Sequence, residues 1–255
     1  MKFIFITKKT ILIFLTLLLI TINLSILFRN ANMQETVANI TSEEDLQLLL
    51  KSNYKIAYLT FDDGPAQKMT PKILDILEKE NVPATFFVVG KHVKEHPELV
   101  KRAYDSGHYI ANHTFSHNNS KIYKSTENFI NEIVNTDKEI ASALELESYC
   151  SHVFRFPEGY MTNKYRKEKE KGLEALKEMD YVYVDWNCLN KDSETKCSNN
   201  QLINNLIKSS KNKKSLVVLM HDTGDVNNTD EVLEASIEYL KEKGYEFRNF
   251  YDFFD

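Results

Sequence analysis

The chain contains two neighbouring carboxylates directly after an apolar run. Asp62 and Asp63 stand side by side in TFDDGP at residues 60–65, directly after an apolar run. Adjacent carboxylates at the end of a strand point in different directions, so one can bind a cation while the other handles a proton. Asp-Gly-Pro is also good turn chemistry, and a plain turn is the alternative interpretation of this motif.

Two histidines follow at a spacing that suits a metal ion. His113 and His117 lie four residues apart in HTFSH, and side chains at this spacing share one face of a helical turn. A pair of surface histidines is the alternative. Because the chain also offers Asp63, two imidazoles and one carboxylate would leave an open position for water, which is the ligand set of catalytic zinc. We therefore predict one divalent metal ion, with zinc expected.

Two further polar residues follow apolar runs. Arg155 opens RFPEG, and an arginine directed into a carboxylate-rich pocket would pair with Asp62 and hold it ionised. His221 follows the apolar run that ends in Leu219 and Met220, and its ordinary pKa range makes it a candidate proton donor. The alternatives are a surface arginine before a turn and a histidine satisfied within the core.

The elements that must position these residues alternate between strands and helices. Helical patterns begin at Thr70, a candidate N-cap before Pro71, at Ser125 and at Thr229, and the last of them stops at Gly244. This alternation predicts a parallel sheet, and about seven strands suit an α/β barrel whose chemistry gathers at the carboxyl ends of the strands. The predicted strands cover residues 56–61, 84–89, 109–111, 153–156, 181–186, 216–220 and 245–250.

The four motifs together are more specific than any one of them. TFDDGP, HTFSH, RFPEG and LMH occur in this order, each at a predicted strand end. This combination resembles the polysaccharide deacetylase family, also called the NodB-homology domain or carbohydrate esterase family four, over residues 56–250. The resemblance implies a distorted (β/α) barrel and metal-dependent removal of acetyl groups from N-acetylated sugars. Members of the family act on peptidoglycan and on chitin.

The resemblance also implies roles for individual residues. Asp62 would be the general base, held by Arg155, and His221 would be the general acid. The metal ligands would be the aspartate and the two histidines named above. Leu219 would line the pocket for the acetyl methyl group, and the backbone N–H of Glu158 would stabilise the oxyanion.

One motif departs from the family pattern. The family carries a D-x-x-D-W-like segment whose first acid orients the catalytic histidine, whereas residues 185–192 here read DWNCLNKD. Alignment on Trp186 puts Leu189 in place of the first acid and Asp192 in place of the second. Either Asp185 or Asp192 would then orient His221, and we favour Asp192. Trp186 would stack on a sugar face or belong to the core.

The N-terminus predicts a membrane segment. Residues 11–28 are uncharged and mostly apolar, and they follow lysines at positions 2, 8 and 9. About 20 apolar residues span a bilayer, and the lysines would stay in the cytoplasm, which puts the remaining chain outside. We therefore predict a single-pass transmembrane helix within residues 1–30, a linker and short helix over 31–53, and the deacetylase domain over 54–255. A cleaved signal peptide is the alternative, and it also exports the domain.

Composition limits the classes of partner. The chain has 255 residues, 42% of them hydrophobic, and a net charge of −5. Residues 1–30 hold four bases and no acid, so the rest carries 28 bases against 37 acids, a net charge of −9. Such an acidic body argues against nucleic-acid binding. We expect a monomer whose partner is an N-acetylated glycan: peptidoglycan first, with chitin-like glycans, poly-N-acetylglucosamine or an inactive glycan-binding module as alternatives.

Several other residues receive no catalytic role. Cys188 and Cys197 either pair across a short loop or remain thiols. The basic segment around Lys169 is interspersed with glutamates and is expected to form a solvated helix face. The remaining histidines are expected at the surface: His92, His96, His108 and His152.

Overall fold

The computed structural model describes residues 54–194, 197–224 and 228–254. The predicted transmembrane helix and the linker lie outside these ranges. Among the described residues, no helix combines the length and the apolar character that a membrane crossing requires. The described residues up to Tyr251 belong to one compact unit.

A parallel sheet forms the centre of the fold, as predicted. Its strands are β1 Ile56–Asp62, β2 Thr85–Val88, β3 Tyr109–Asn112, β4 Val153–Phe154, β5 Val182–Tyr183, β6 Cys188–Leu189, β7 Ser215–His221 and β8 Glu246–Arg248. Their order is β5-β4-β3-β2-β1-β7-β6, and β8 pairs with the first half of β1 while β2 pairs with its second half. Within the described ranges no pairing closes β5 onto β6, so the barrel is open there and distorted. The two-residue strand β6 was not predicted.

Helices connect most of the strands and cover the sheet. They are α1 Thr70–Glu80, α2 Gly90–Glu95, α3 Pro97–Asp105, α4 Asn119–Ile122, α5 Thr126–Leu144, α6 Arg166–Glu178, α7 Asn199–Ser210, α8 Thr229–Glu242 and α9 Tyr251–Phe254. Ser125 caps α5 by accepting a hydrogen bond from the Asn128 N–H (3.1 Å), as a serine at this position should. The predicted N-cap of α1 is wrong. Thr70 lies inside the helix, and its hydroxyl donates to Asp222 (2.8 Å) instead.

The core sits on both sides of β1. All seven residues of this strand are buried, and the strand has hydrogen-bonded neighbours on both edges. Leu59 and Phe61 are fully buried, and each such side chain stabilises the fold by about 1.5–3 kcal/mol. A second aromatic cluster packs α5 against β4, where the ring of Phe129 stacks on that of Phe156 with centroids 5.6 Å apart.

Two expectations about residues without a role need correction, and one open choice is decided. His108 is buried and not at the surface, since its Nδ1 accepts a hydrogen bond from the Ala84 N–H (3.2 Å). Lys169 is buried in α6, away from any solvated helix face. Cys188 and Cys197 are thiols, so no disulfide joins them.

A polar network ties α5 to the strands that carry the histidine motif. The partly buried carboxylate of Asp137 accepts hydrogen bonds from Asn112 Nδ2 (2.9 Å) and from the hydroxyl of Tyr181. Asn112 ends β3, and its Oδ1 accepts the N–H of Thr114 (3.0 Å), so it also shapes the turn around His113. Burial raises the pKa of Asp137 to about 6, although these hydrogen bonds oppose the rise.

This raised pKa predicts a pH-dependent stability. Between the ordinary value of 3.8 and about 6 the folded chain holds a proton at Asp137 that the unfolded chain has lost. The contribution of Asp137 to the free energy of unfolding therefore falls as pH rises through this window, by about 3 kcal/mol. Denaturant titrations at several pH values measure the free energy of unfolding of the wild type and of Asp137→Asn. The difference between the two proteins should change by this amount across the window, and Glu127→Gln on the same helix is the control. A difference that is constant over the window would contradict the assignment.

Candidate active site

The polar residues named by the motifs meet at one edge of the sheet. Asp62 ends β1, and the register places it beside His221 at the end of β7. His113 follows β3 and Arg155 follows β4. Because these strands are parallel neighbours, their carboxyl ends open into one cleft of about 280 Å³. The cleft is also lined by residues from the other predicted positions: His117, Glu158, Trp186, Leu189, Asp192 and Leu219.

Asp63 and the two histidines form a compact group of ligand atoms. Asp63 Oδ1 lies 3.3 Å from His113 Nε2 and 3.1 Å from His117 Nε2. All three ligand atoms lie within 4.8 Å of one another. His113 Nδ1 lies 2.8 Å from the carbonyl oxygen of Arg155, which can only accept a hydrogen bond, so the proton sits on Nδ1. The Nε2 lone pair of His113 therefore faces the carboxylate, as in metal-binding histidines.

The electrostatics of this group fit a cation. Although burial opposes it, His113 and His117 lower the pKa of Asp63 below its usual range, so the carboxylate is ionised. Burial lowers the pKa of His117 to about 4, which keeps this imidazole neutral at physiological pH. Asp63 Oδ1 is buried and receives no hydrogen bond from the described residues. Although burial opposes it, Asp62 and Asp63 raise the pKa of His113, so the negative charge of the site attracts a cation. Two imidazole nitrogens and a carboxylate oxygen suit zinc or a similar divalent ion, which would bind in place of that proton.

A histidine outside the motifs supports Asp63. His92 is partly exposed, and its Nδ1 lies 2.8 Å from the backbone carbonyl oxygen of Asp63, a partner that the sequence did not indicate. Asp63 has a φ of 76°, which a non-glycine residue adopts only when its surroundings hold it there. The next residue must be glycine, because a Cβ on Gly64 would lie 2.0 Å from the carboxylate of Asp222. No sequence spacing links His92 to the motif, since the contact depends on how α2 packs.

Asp62 is held by a buried arginine. Asp62 Oδ1 accepts a hydrogen bond from Arg155 Nη1 (2.7 Å), and both side chains are almost wholly buried. The same Nη1 donates to the hydroxyl of Thr60 (2.8 Å), and Nε donates to the carbonyl oxygen of Val184 (2.8 Å). The guanidinium also lies 3.9 Å from the ring centroid of Phe87. The permanent charge of Arg155 thus stabilises the negative charge of Asp62, and its planar group fixes the direction of the carboxylate.

His221 is oriented by Asp192. His221 Nδ1 lies 2.8 Å from Asp192 Oδ1, while Asp192 Oδ2 accepts the backbone N–H of His221 (2.9 Å) and the hydroxyl of Thr229 (2.8 Å). Burial lowers the pKa of His221, but Asp192 outweighs it and raises the pKa to about 9. The alternative, Asp185, instead accepts the backbone N–H groups of Tyr160 and Met161. Of the two acids, only Asp192 contacts the histidine.

A tight turn forms one wall of the cleft. The N–H of Gly159 donates to the carbonyl oxygen of Phe156 (2.8 Å), and Glu158 takes a φ of 63° between them. Trp186 packs against this turn, since a Cβ on Gly159 would lie 2.9 Å from its ring, and it also borders the cleft. Leu219 is buried except for the part that lines the cleft. Trp186 is therefore partly buried against the turn and partly exposed to the cleft, and its stacking on a sugar stays a prediction.

Comparison with known proteins agrees with the motifs. A family model described as polysaccharide deacetylase matches residues 50–176. A peptidoglycan-N-acetylglucosamine deacetylase of Bacillus cereus is 32% identical over 230 residues, covering 86% of this chain and 81% of that protein. The peptidoglycan-N-acetylmuramic acid deacetylase PdaA of Bacillus subtilis is 30% identical over 215 residues, covering 84% and 77%.

Solved structures agree as well. A CE4 esterase from Streptococcus mutans is similar with a TM-score of 0.73 and 30% sequence identity, covering 82% of this chain and 90% of that one. The resemblance inferred from the four motifs is therefore confirmed, and the chain belongs to the polysaccharide deacetylase family.

Proposed function

We propose that this chain is a metal-dependent N-deacetylase that hydrolyses the acetamido groups of peptidoglycan. One observation carries the proposal: an arginine-held carboxylate, an acid-supported histidine and three metal-ligand atoms line a single cleft. A catalytically inactive glycan-binding module is the rival function. It would have no use for the buried Arg155–Asp62 pair, which the fold must stabilise against the cost of desolvation.

The bound ion would be held by Asp63, His113 and His117. A divalent ion there supplies a Lewis acid for the acetamide carbonyl and lowers the pKa of a water molecule. Asp62 accepts the proton of the water that attacks the carbonyl carbon. Arg155 keeps Asp62 pointing into the cleft throughout the reaction.

The other wall of the cleft completes the reaction. The backbone N–H of Glu158 donates to the negative oxygen that develops on the acetyl group. His221 enters as an imidazolium ion, consistent with its raised pKa, and protonates the sugar nitrogen as the C–N bond breaks. Leu219 contacts the acetyl methyl group. The products are acetate and a free amine on the sugar, which turns a neutral glycan unit into a cationic one.

The names of the relatives and the N-terminus support the choice of substrate. The similar Bacillus proteins are named for peptidoglycan deacetylation. The uncharged segment at residues 11–28 would anchor the chain in the cell membrane, or export it after cleavage, and both routes place the domain beside the wall. The enzyme would act as a monomer that binds no nucleic acid. Chitin-like oligomers and poly-N-acetylglucosamine are the alternative substrates.

The direct test is acetate release by the full chain, with purified peptidoglycan and N-acetylglucosamine oligomers assayed side by side. We expect release from peptidoglycan that a chelator abolishes and added zinc restores. Release from the oligomers alone would keep the chemistry and change the substrate. Failure on both glycans with zinc supplied would contradict the proposal and favour the binding module.

Removal of the base should abolish turnover while leaving the fold intact. Asp62→Asn keeps the shape of the side chain and one acceptor for Arg155, but it cannot take a proton from water. We expect kcat for acetate release to fall on the order of 10²–10⁴-fold. Asp105→Asn, at an exposed carboxylate paired with Lys101, is the matched control. Wild-type activity in Asp62→Asn would refute this role.

Loss of the supporting acid should act on kcat. Asp192→Asn leaves His221 without a negative partner at Nδ1, which weakens its ability to hold and deliver a proton. We expect kcat to fall on the order of 10²-fold or more, with KM and zinc affinity close to wild type. Asp180→Asn, whose carboxylate pairs with the partly exposed His152, should change neither constant. A rise in KM at constant kcat would argue against this role.

Zinc affinity tests the ligand set without any assay of activity. Asp63→Asn removes the one anionic ligand, so we expect affinity to fall by more than the roughly 10–100-fold that outer partners of a metal site contribute. Competition with a zinc-binding dye on the full chain measures this, and Asp75→Asn at an exposed carboxylate is the control. Equal affinity in wild type and Asp63→Asn would place the metal elsewhere.

A further inference from the structure

A buried lysine lies behind the active-site turn. Lys169 of α6 is 1% exposed, and its Nζ donates to the carbonyl oxygen of Gly159 and to the hydroxyl of Thr162, both at 2.6 Å. An ammonium group is costly to remove from water, and an apolar side chain would fill the same space without that cost. The two hydrogen bonds therefore indicate that the charge acts on the loop that follows the turn.

The carboxylate of Asp185 holds the same loop by accepting hydrogen bonds from the loop's backbone N–H groups. Both oxygens of Asp185 lie 3.0 Å from the backbone nitrogen of Tyr160, and Oδ2 lies 3.4 Å from that of Met161. Lys169 thus donates a hydrogen bond to a carbonyl oxygen, and Asp185 accepts hydrogen bonds from the N–H groups of the adjoining residues. We call this pair of contacts the loop clamp. It uses none of the residues that bind the metal or transfer protons.

The turn needs such support because of its backbone conformation. Glu158 and Gly159 have φ values of 63° and 78°, which place two successive residues in the left-handed region. A glutamate is disfavoured there, and a residue held in that region persists only when its surroundings over-determine it. A substituent on Gly159 would also meet the Trp186 ring at 2.9 Å, so the turn cannot move toward that side.

The conformation of this turn sets the direction of one peptide group. The turn from Phe156 to Gly159 is closed by a hydrogen bond, and its third residue, Glu158, has the positive φ that a type II turn requires, so the peptide group between residues 157 and 158 has a fixed orientation. No acceptor in the described part of the chain takes the N–H of Glu158. The side chain of Glu158 is held at the rim by Asn119 (2.8 Å) and Lys164 (3.1 Å).

We propose that Lys169 and Asp185 are positioning residues that hold the turn at residues 157–159 and thereby aim the Glu158 N–H at the substrate. The proposal rests on the function proposed above, in which this N–H stabilises the developing oxyanion. In this proposal Asp185 supports the turn and does not orient His221. It also explains why a lysine is buried on a helix that otherwise carries its charges at the surface.

The test compares three variants of the full, zinc-loaded chain. Lys169→Met removes the ammonium and keeps the length of the side chain. Asp185→Asn keeps one oxygen acceptor and removes the other, which makes it the milder change. Lys167→Met, at an exposed lysine on the same helix, is the matched control. The readouts are kcat and KM for acetate release, zinc affinity, and hydrogen–deuterium exchange of residues 157–162.

We expect kcat to fall about 10-fold or more in Lys169→Met, since loss of an oxyanion donor costs roughly 10²–10³-fold and a displaced donor costs part of that. KM should stay within about threefold, because the N–H acts mainly in the transition state. Zinc affinity should be unchanged, and exchange in residues 157–162 should accelerate. Asp185→Asn should show a smaller effect in the same direction, and Lys167→Met none.

The outcomes of this test separate the proposal from the function on which it rests. Wild-type kcat in both Lys169→Met and Asp185→Asn would overturn the positioning role, whatever happens to thermal stability. Equal exchange of residues 157–162 in all variants would also overturn it. If the wild type releases no acetate from either glycan, the proposed function falls, while faster exchange in Lys169→Met would still support the loop clamp.

Discussion

The buried guanidinium of Arg155 is the group on which the rest of the site depends. One nitrogen holds Asp62, another holds the carbonyl oxygen of Val184, and the flat face lies on the ring of Phe87. The backbone carbonyl of the same residue fixes the proton of His113 on Nδ1. A single residue after β4 therefore sets both the direction of the Asp62 carboxylate and the tautomer of His113. Because an unpaired buried charge is so costly, Asp62 and Arg155 must remain paired.

This constraint explains how two adjacent aspartates take different tasks. Asp62 is the last residue of β1 and is hydrogen-bonded to Arg155, and the proposed mechanism assigns it the proton of the attacking water. Asp63 turns away with a positive φ, supported at its carbonyl by His92, and its carboxylate faces the two histidines. His221, the proposed acid, lies on the neighbouring strand β7, where Asp192 raises the pKa of its imidazole. The parallel register of β1 and β7 brings base and acid side by side.

The sequence predicts the part of the site that follows directly from strand order. Once Asp62, His113 and His221 are placed at ends of parallel strands, the register of the sheet gathers them at one edge. Side-chain burial is harder to predict, because it depends on tertiary packing and leaves no periodic signal. Lys169 lies among other charged residues in sequence yet is buried by the turn that it holds. Strand β6 is two residues long, too short for alternation to show, and so the choice between Asp185 and Asp192 required the structure.

The central claim is that one aspartate binds the metal while its neighbour stays with the arginine. Anomalous X-ray scattering at the zinc edge, from crystals of the zinc-loaded protein, tests this claim most directly. We expect one strong peak within about 2.0–2.2 Å of a carboxylate oxygen of Asp63 and of the Nε2 atoms of His113 and His117, with Asp62 still bound to Arg155. A peak coordinated by Asp62, or a zinc ion bound away from the two histidines, would contradict it.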